Sequence, residues 1–251
     1  MTTSCEVLSG FATDKGLVRP ANEDAVLHFV SNKNGNDDPT QVFVVADGMG
    51  GHRGGQTAST MAVEIARDVL SFNPLGDIAQ SLLQSFRRIN DEIVYVGKND
   101  PTLHGMGTTL TLLAIRNCSA WIAHVGDSRA YRIRARRMEQ LTQDDTLVAR
   151  LAEQGVISVD EAANHPNRNL LVQAMGGQES VDVQMIGPID IVDDDRFLLC
   201  TDGLLHVNEQ TIANTIALND PQTACGLLVR LANASGGTDN TTVQIVQCRN
   251  R

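Results

Sequence analysis

The chain has 251 residues, of which 42% are hydrophobic, so it can bury a sizeable core in one large domain or two small ones. Its 20 basic and 30 acidic residues give a formal net charge of −10, which disfavours a polyanionic partner such as nucleic acid. The first residues lack the basic stretch and apolar run of a secretory signal. Apolar runs reach about five residues, far short of the roughly 20 that a membrane helix needs, so no membrane partner is expected.

The five cysteines are scattered, odd in number and never spaced as CxxC. Zinc sites and disulfide frameworks normally show paired spacings. We therefore expect free thiols and a protein of the reducing cytoplasm. The residues concerned are Cys5, Cys118, Cys200, Cys225 and Cys248.

Hydrophobic periodicity in the first part of the chain predicts strands followed by helices. Strand-like runs occupy residues 7–13, 25–30 and 42–46, and a hydrophilic loop over 32–40 separates the last two. Helical stretches follow over 58–72 and 78–96, where apolar residues recur every three or four positions. Each helix would therefore present one apolar face to a sheet.

The later part of the chain is richer in strands. Runs over 108–115, 120–125, 129–133 and 138–141 are separated by turn residues, and Asn117 indicates a hairpin. Residues 144–178 are polar and helix-like. Strands at 181–186, 196–200 and 242–247 and helices at 209–217 and 221–233 complete the chain. Because strands come in runs and helices in pairs, the predicted fold class is α+β with antiparallel sheets.

Four aspartates stand where a predicted strand gives way to a glycine or polar turn: Asp47, Asp127, Asp202 and Asp239. A charged carboxylate at the end of a buried strand is unfavourable by roughly several kcal/mol unless a cation meets it. Four such residues indicate that the carboxylates converge on divalent metal. Ligands that are all oxygen favour Mg²⁺ or Mn²⁺ over Zn²⁺.

Two further motifs could take part in the same chemistry. The string RPANED places Arg19 close to Glu23 and Asp24. Its planar guanidinium matches two phosphate oxygens and could clamp a phosphate beside a metal, with a structural salt bridge as the alternative. The string ADGMGGHRGGQTAS lacks the Lys-Ser/Thr pair of a P-loop and has Arg53 where GxGxxG requires glycine. Its glycines would instead bring backbone close to an ion, so that the Gly48 carbonyl becomes a ligand; a plain strand–turn–helix connection is the alternative.

Taken in order, these motifs resemble the metal-dependent Ser/Thr protein phosphatases of the 2C type, the PPM family, in their compact bacterial form. The resemblance runs from DKGLVRPANEDA through VVADGMGGH, MGTTL, AHVGDSRAY, LTQDD, HPNRN and LLCTDGL to GGTDNTTV, which is essentially the whole chain. It implies a single domain over residues 1–251. It also implies a central antiparallel β-sandwich flanked by helical layers, with a mobile flap at about 144–178.

The resemblance further implies a centre of two Mn²⁺ or Mg²⁺ ions at one end of the sandwich. Asp47 would bridge the two ions. Asp202 and Asp239 would hold one of them, and the Gly48 carbonyl would help to hold the other. Asp127 would join Asp202 in a third, looser site.

The remaining implied roles concern water and phosphate. Glu23 and Asp24 would bind metal-coordinated waters, and Asn240 would orient the Asp239 loop. A water activated by the ions would attack phosphorus in line, while Arg19 grips the phosphate. Arg19, Asp47 and Asp239 are therefore expected to be catalytic.

The chain departs from the family pattern at a few positions. Met49 stands where animal members have a histidine proposed as general acid, and His52 does not inherit that role, so protonation of the leaving group is unassigned. The family string DHS or DHT reads Asp144-Asp145-Thr146 here. The other histidines show no metal-ligand spacing and are expected to be structural.

The expected protein is a cytoplasmic, monomeric phosphatase of phosphoserine and phosphothreonine proteins that opposes a bacterial Ser/Thr kinase. Two alternatives belong to other classes. A non-catalytic binding module is disfavoured by the intact set of carboxylates. A different metal hydrolase, such as a nuclease, is disfavoured by the acidic charge and by the lack of a basic, aromatic-lined groove.

Overall fold

Two antiparallel sheets form the centre of the molecule. The computed structural model describes residues 5–31, 39–72 and 76–250, apart from the side chains at 52, 72 and 250. Residues 32–38 of the predicted hydrophilic loop lie outside this range. The strands are β1 (Cys5–Asp14), β2 (Asp24–Ser31), β3 (Thr40–Met49), β4 (Gly107–Thr108), β5 (Leu110–Arg116), β6 (Ser119–Val125), β7 (Arg129–Arg134), β8 (Arg137–Gln140), β9 (Gln184–Asp190), β10 (Arg196–Cys200) and β11 (Thr241–Asn250).

The first sheet joins five strands in the order β1-β11-β10-β7-β8, and the second runs β2-β3-β5-β6-β9 with β4 paired to β3. The helices are α1 (His52–Phe72), α2 (Ile78–Asn99), α3 (Leu147–Glu153), α4 (Val159–Ala163), α5 (Glu209–Leu218) and α6 (Pro221–Ala234). Short 3₁₀ helices cover Pro101–Leu103 and Asp202–His206. Helices α1 and α2 cover the outer face of the second sheet, and α5 and α6 cover that of the first. The predicted α+β sandwich with helical layers is confirmed.

The apolar runs of the central strands follow from burial on both faces. In β3, Val42 and Val44 pack beneath the helices, whereas Phe43 and Val45 point into the space between the sheets. The side chains of β10 alternate in the same way: Leu198 points toward the helices, and Phe197 and Leu199 point into the space between the sheets. Successive side chains of a strand point to opposite faces, so a strand buried on both sides is apolar throughout.

The turns also follow from local sequence. Asn117 and Cys118 have φ values of 51° and 54° and connect β5 to β6. Two consecutive left-handed residues are typical of a type I′ hairpin turn, so the hairpin predicted at Asn117 is confirmed. Asp220 caps α6 by accepting from the Thr223 N–H at 3.0 Å, with Pro221 in the first turn.

The structure differs from the sequence prediction in three places. The strand predicted over 108–115 is split into β4 and β5 at Thr109, whose hydroxyl accepts from the Asp47 N–H in place of a backbone carbonyl. Strand β9 begins at Gln184 rather than 181. The segment 144–178, which we call the flap segment, is helical only in α3 and α4.

Among the described residues, no helix combines the length and apolarity needed to cross a bilayer.

Candidate metal centre

One end of the sandwich collects the strand ends that carry the predicted acidic residues. Asp24 begins β2 and lies directly opposite Asp47, near the end of β3, in the strand register. Asp239 lies two residues before β11, whose first residue pairs with the last residue of β1. Asp202 follows β10 and Asp127 follows β6. Both sheets therefore deliver carboxylates to the same end.

These aspartates share one electrostatic environment. Burial is the largest cause in each case: it raises the pKa of Asp24 and of Asp127 to about 7 and that of Asp202 to about 6. Burial also raises the pKa of Asp47 well above its usual range, and the charges of Asp24, Asp202, Asp127 and Asp239 add to the effect. Asp24, Asp47, Asp127 and Asp202 therefore resist ionisation unless positive charge arrives.

Two carboxylate oxygens at this end are buried and have no hydrogen-bond partner in the described part of the chain: Asp24 Oδ1 and Asp202 Oδ1. The other oxygen of Asp24 accepts from the hydroxyls of Thr201 at 2.9 Å and Thr242 at 2.6 Å. A buried acceptor without a donor is destabilising. A hard divalent cation would satisfy both orphaned oxygens, and the donor set suits Mg²⁺ or Mn²⁺.

The carboxylates of this cluster do not form a complete set of metal ligands. Among the described residues, no group of three or more His, Cys, Asp or Glu side chains has the spacing of a preformed metal site. The fit to a metal centre therefore rests on shared burial, raised pKa values and unsatisfied oxygens. The specific ligand roles of Asp47, Gly48, Asp127, Asp202 and Asp239 remain predictions.

Arg19 lies beside the cluster in the loop between β1 and β2. Its Nη2 donates to Asp239 Oδ2 at 2.6 Å, and 53% of its side chain is exposed. The hydrogen bond to Asp239 raises the pKa of Arg19, with further contributions from Asp202 and Asp47. The guanidinium is thus held at the cluster by an ion pair and remains accessible to an incoming anion.

Asn240 ties the Asp239 loop to the segment that contains Arg19 and Glu23. Its Oδ1 accepts from the Glu23 N–H at 2.8 Å, and its Nδ2 donates to the carbonyls of Lys15 and Ala21, each at 2.9 Å. The side chain is 5% exposed. One buried amide therefore fixes two loops against each other.

Glycines 48 and 55 let the start of α1 approach the cluster. A Cβ at Gly55 would collide with the Glu23 carboxylate and would lie 2.8 Å from the backbone of Gly48. A Cβ at Gly48 would collide with the Gly55 carbonyl and lie 2.6 Å from the Glu23 carbonyl. Ser59 adds a hydroxyl that donates to the same Glu23 carbonyl at 2.5 Å. These glycines therefore allow the close packing of Glu23, the β3 end and α1.

A cleft of about 1050 Å³ opens between the cluster and the flap segment. Arg19, Asp202 and Asp239 line one side of it. The flap segment contributes Arg168 and small or apolar residues of α3 and α4, which are Val148, Ala149, Ala152, Val159, Ala162 and Ala163. His206, expected to be structural, also lines the cleft. The cleft leads from the protein surface to the carboxylates.

The base of the flap segment is fixed to the turn that carries Asp127. Arg129 forms a bidentate ion pair with Asp144, with Nη2 to Oδ2 at 2.7 Å and Nε to Oδ1 at 2.9 Å. Asp145 accepts from the Gly126 N–H at 2.9 Å and its own N–H donates to the Gly126 carbonyl at 2.7 Å. Gln173 Nε2 donates to the same carboxylate at 3.0 Å. Asp145, at the position where the family often has histidine, therefore couples the flap segment to the cluster.

Several of these supporting residues were missed in the sequence. Thr201 and Thr242 were not identified as donors to Asp24, although both lie within three residues of a predicted aspartate. The Arg129–Asp144 pair was also missed, because its partners come from different motifs. Glu23 precedes β2 and Asp24 begins it, and their predicted role as ligands of metal-bound waters stays a prediction. Met49 is half-buried near the end of β3, and the His52 side chain lies outside the described residues.

Both the sequence and the fold of this chain are similar to those of known proteins. The family model "Protein phosphatase 2C" matches residues 20–238. The serine/threonine phosphatase stp of Listeria monocytogenes serotype 4b is 36% identical over 244 residues, which cover 94% of each chain. The crystal structure of the Mycobacterium tuberculosis serine/threonine phosphatase PstP/Ppp superposes with a TM-score of 0.87 at 33% identity, covering 97% of this chain and 99% of that one. The catalytic domain of PstP in complex with two manganese ions gives a TM-score of 0.84 at 31% identity, covering 98% and 100%.

Proposed function

The chain belongs to the protein phosphatase 2C family and is a metal-dependent serine/threonine protein phosphatase, and we propose that its buried aspartates hold the two divalent ions that activate the attacking water. The observation that supports this proposal is the cluster itself, in which burial and mutual repulsion raise the pKa of Asp24, Asp47, Asp127 and Asp202. The manganese complex of the similar PstP domain supports the choice of Mn²⁺.

Asp47 would be a ligand to both ions. Asp202 and Asp239 would hold one of them, the Gly48 carbonyl would hold the other, and Asp127 would contribute to a third site. When bound, such ions lower the pKa of a water toward neutrality and neutralise charge on the phosphate. Glu23 and Asp24 would orient waters at the cluster.

Arg19 binds the phosphate of the substrate. Its guanidinium already lies 2.6 Å from Asp239 and is half exposed to the cleft, so it meets phosphate oxygens without a large movement. In the transition state it donates to the oxygens on which negative charge accumulates. No side chain is assigned to protonate the leaving hydroxyl, and no serine or cysteine nucleophile takes part.

The substrates are proteins that carry phosphoserine or phosphothreonine. A cleft of about 1050 Å³ is large enough for a peptide segment, and its flap side offers small apolar residues together with Arg168. The enzyme would reverse the action of a Ser/Thr kinase. The partner kinase, a cytoplasmic location and a monomeric state stay predictions. No specific feature of the cleft favours a nuclease or a non-catalytic binding module.

The decisive experiment measures phosphate release from a phosphothreonine peptide by the metal-free protein, with Mn²⁺ added and then with excess EDTA. We expect turnover with Mn²⁺ and none in the chelator. The variant Asp239→Asn should be inactive, and Asp190→Asn, which removes an exposed carboxylate at the end of β9, should behave as wild type. Activity that persists in EDTA would reject the metal mechanism. Cleavage of DNA in place of the peptide would favour the nuclease, and calorimetry without Mn²⁺ binding would favour the binding module.

A further inference from the structure

Three cysteines that are far apart in the sequence meet at the end of the sandwich opposite the aspartates. Cys5 is the first residue of β1, Cys248 lies near the end of β11, and Cys118 lies in the hairpin turn between β5 and β6. In the β1–β11 register Val7 faces Cys248, which places Cys5 on the same face and diagonal to Cys248.

Hydrogen bonds made by residues 191–195 connect the β5–β6 hairpin turn to the end of β11. The Ile191 N–H donates to the Cys118 carbonyl at 2.9 Å. The Asp194 N–H donates to the Cys248 carbonyl at 2.9 Å, and the Cys248 N–H donates to the Asp195 carbonyl at 2.8 Å. All three cysteines pack against the core between the two sheets. Cys118 and Cys248 both act on the pKa of the Cys5 thiol, as expected for three thiols at the same end of the sandwich.

Geometry and exposure select one pair among the three thiols. All five cysteines of the chain lie in its described part, and none is in a disulfide. Cys5 and Cys118 are partly exposed, whereas Cys248 is fully buried and cannot meet a reagent from solution. The Cα atoms of diagonal neighbours in an antiparallel pair are about 7–8 Å apart, whereas the Cα atoms of a disulfide are usually about 4.4–6.8 Å apart. The diagonal Cys5–Cys248 pair is therefore disfavoured as well.

We propose that Cys5 and Cys118 are an oxidative modification site, at which a low-molecular-weight disulfide such as glutathione disulfide cross-links the two sheets. One cysteine attacks glutathione disulfide as a thiolate and expels one glutathione thiolate. The second cysteine then attacks the protein sulfur of the mixed disulfide and expels the other. Two protein thiols are oxidised to one disulfide, and glutathione disulfide is reduced to two molecules of glutathione.

The cross-link should stabilise the fold and leave turnover unchanged. It closes a loop between residues 5 and 118, which restricts the unfolded chain, so we expect the melting temperature to rise by about 5–10 °C. Strand β1 runs from Cys5 to Asp14, ten residues or about 30 Å of extended chain, and only its far end approaches the aspartates. The disulfide therefore forms well away from the cluster.

The test treats the reduced, intact chain with glutathione disulfide. Burial, with Cys118 as a further cause, raises the pKa of Cys5 to about 11, so the incubation is run at about pH 8.5. Remaining thiols are blocked with N-ethylmaleimide, and the protein is digested without reduction. We expect mass spectrometry to find a peptide pair joined through Cys5 and Cys118, together with the rise in melting temperature. The variants Cys5→Ser and Cys118→Ser should lose both signals, and Cys225→Ser, which removes a buried thiol elsewhere, should keep them.

Three outcomes would overturn the proposal: a linked peptide that contains Cys248, glutathione adducts at Cys5 or Cys118 without ring closure, or no reaction of these thiols. Because the linked peptide is identified in the wild-type chain, the result does not depend on the folding of any variant. The result is also independent of phosphatase activity, so this proposal and the proposed function fail separately.

Discussion

The two ends of the β-sandwich differ in how their polar groups are satisfied. At the end formed by Asp24, Asp47 and Asp202, burial raises the pKa of each carboxyl and two oxygens have no donor among the described residues. At the opposite end, the loop over 191–195 donates to and accepts from the backbone at Cys118 and Cys248. At one end of the sandwich, buried carboxylate oxygens therefore lack donors among the described residues. At the other end, hydrogen bonds through residues 191–195 satisfy the backbone groups of Cys118 and Cys248.

This difference separates the end of the molecule that is suited to bind metal from the end that stabilises the fold. Carboxylates that repel one another without a counterion lower the stability of the metal-free fold. The sandwich core and the end that contains Cys5, Cys118 and Cys248 must compensate for this loss. This loss of stability is the expected cost of a site that binds divalent cations. Removing one of these carboxylates should therefore raise the stability of the metal-free protein and lower its activity.

The largest expected effect comes from Asp47→Asn. Because Asp47 is the proposed bridging ligand, phosphate release from a phosphothreonine peptide should fall at least about 100-fold. In EDTA, however, the variant should melt above wild type, because a buried repulsive charge is gone. Mn²⁺ should raise the melting temperature of wild type and leave that of the variant nearly unchanged.

Asp190→Asn provides the matched control, because it removes a carboxylate from an exposed position at the end of β9. Its activity, its melting temperature in EDTA and its response to Mn²⁺ should equal those of wild type. If Asp47→Asn melted below wild type in EDTA, Asp47 would be a stabilising residue and the contrast between the two ends would be wrong.

A smaller effect is expected from Gly55→Ala. The added Cβ would collide with the Glu23 carboxylate and lie 2.8 Å from the Gly48 backbone. The carboxylate can swing aside but the backbone cannot, so we expect roughly 1–3 kcal/mol of destabilisation from overpacking. Activity should fall about tenfold, because Gly48 and Glu23 both belong to the proposed centre. Thermal unfolding and steady-state kinetics measure the two effects.

Gly226→Ala is the control for helix propensity. Gly226 also lies inside a helix, α6, but a Cβ there meets nothing within 4 Å. This variant should be more stable than wild type by about 0.5–1 kcal/mol and equally active. Equal behaviour of the two alanine variants would show that the packing of α1 against Glu23 has no influence on the site.

Much of the fold could be predicted from the sequence because the strands and helices have clear periodicity. The apolar run of β3 and the apolar period of α2 gave elements of the correct type and nearly the correct bounds. The flap segment was less predictable, because most of it is irregular and is held by contacts such as Asp145 with Gly126, which are remote in sequence. The split at Thr109 depends on one side-chain hydrogen bond that no periodic pattern reveals.

In the site, the aspartates could be predicted from the sequence, but the residues that support them could not. Aspartates at strand ends identified the cluster, because buried charge is unusual enough to be informative. The groups that support them were not visible in the same way. Thr201 and Thr242 are ordinary strand-end residues until β10 and β11 pair and direct both hydroxyls to Asp24. The role of Gly55 likewise depends on the approach of α1 to Glu23.

The smallest expected effect is the pH dependence of stability in the chelated protein. An unfolded aspartate ionises near pH 3.9, whereas the folded pKa is about 6 for Asp202 and about 7 for Asp24 and Asp127. The folded state thus binds more protons between about pH 4 and 7, so the free energy of unfolding decreases as pH rises through this window. In EDTA we expect the melting temperature to fall by about 5 °C between pH 5 and 7.5.

Mn²⁺ should reverse the trend, because the ion binds the ionised carboxylates and competes with protons for them. The melting temperature in Mn²⁺ should therefore rise with pH over the same window. Asp47→Asn lacks one of the groups with a raised pKa, so its loss of stability in EDTA should be shallower than that of wild type, while Asp190→Asn should follow wild type. A melting temperature in EDTA that rises from pH 5 to 7.5 would mean that the carboxylates are stabilised when ionised. The acidic end would then need no cation, and the proposed difference between the two ends of the sandwich would be lost.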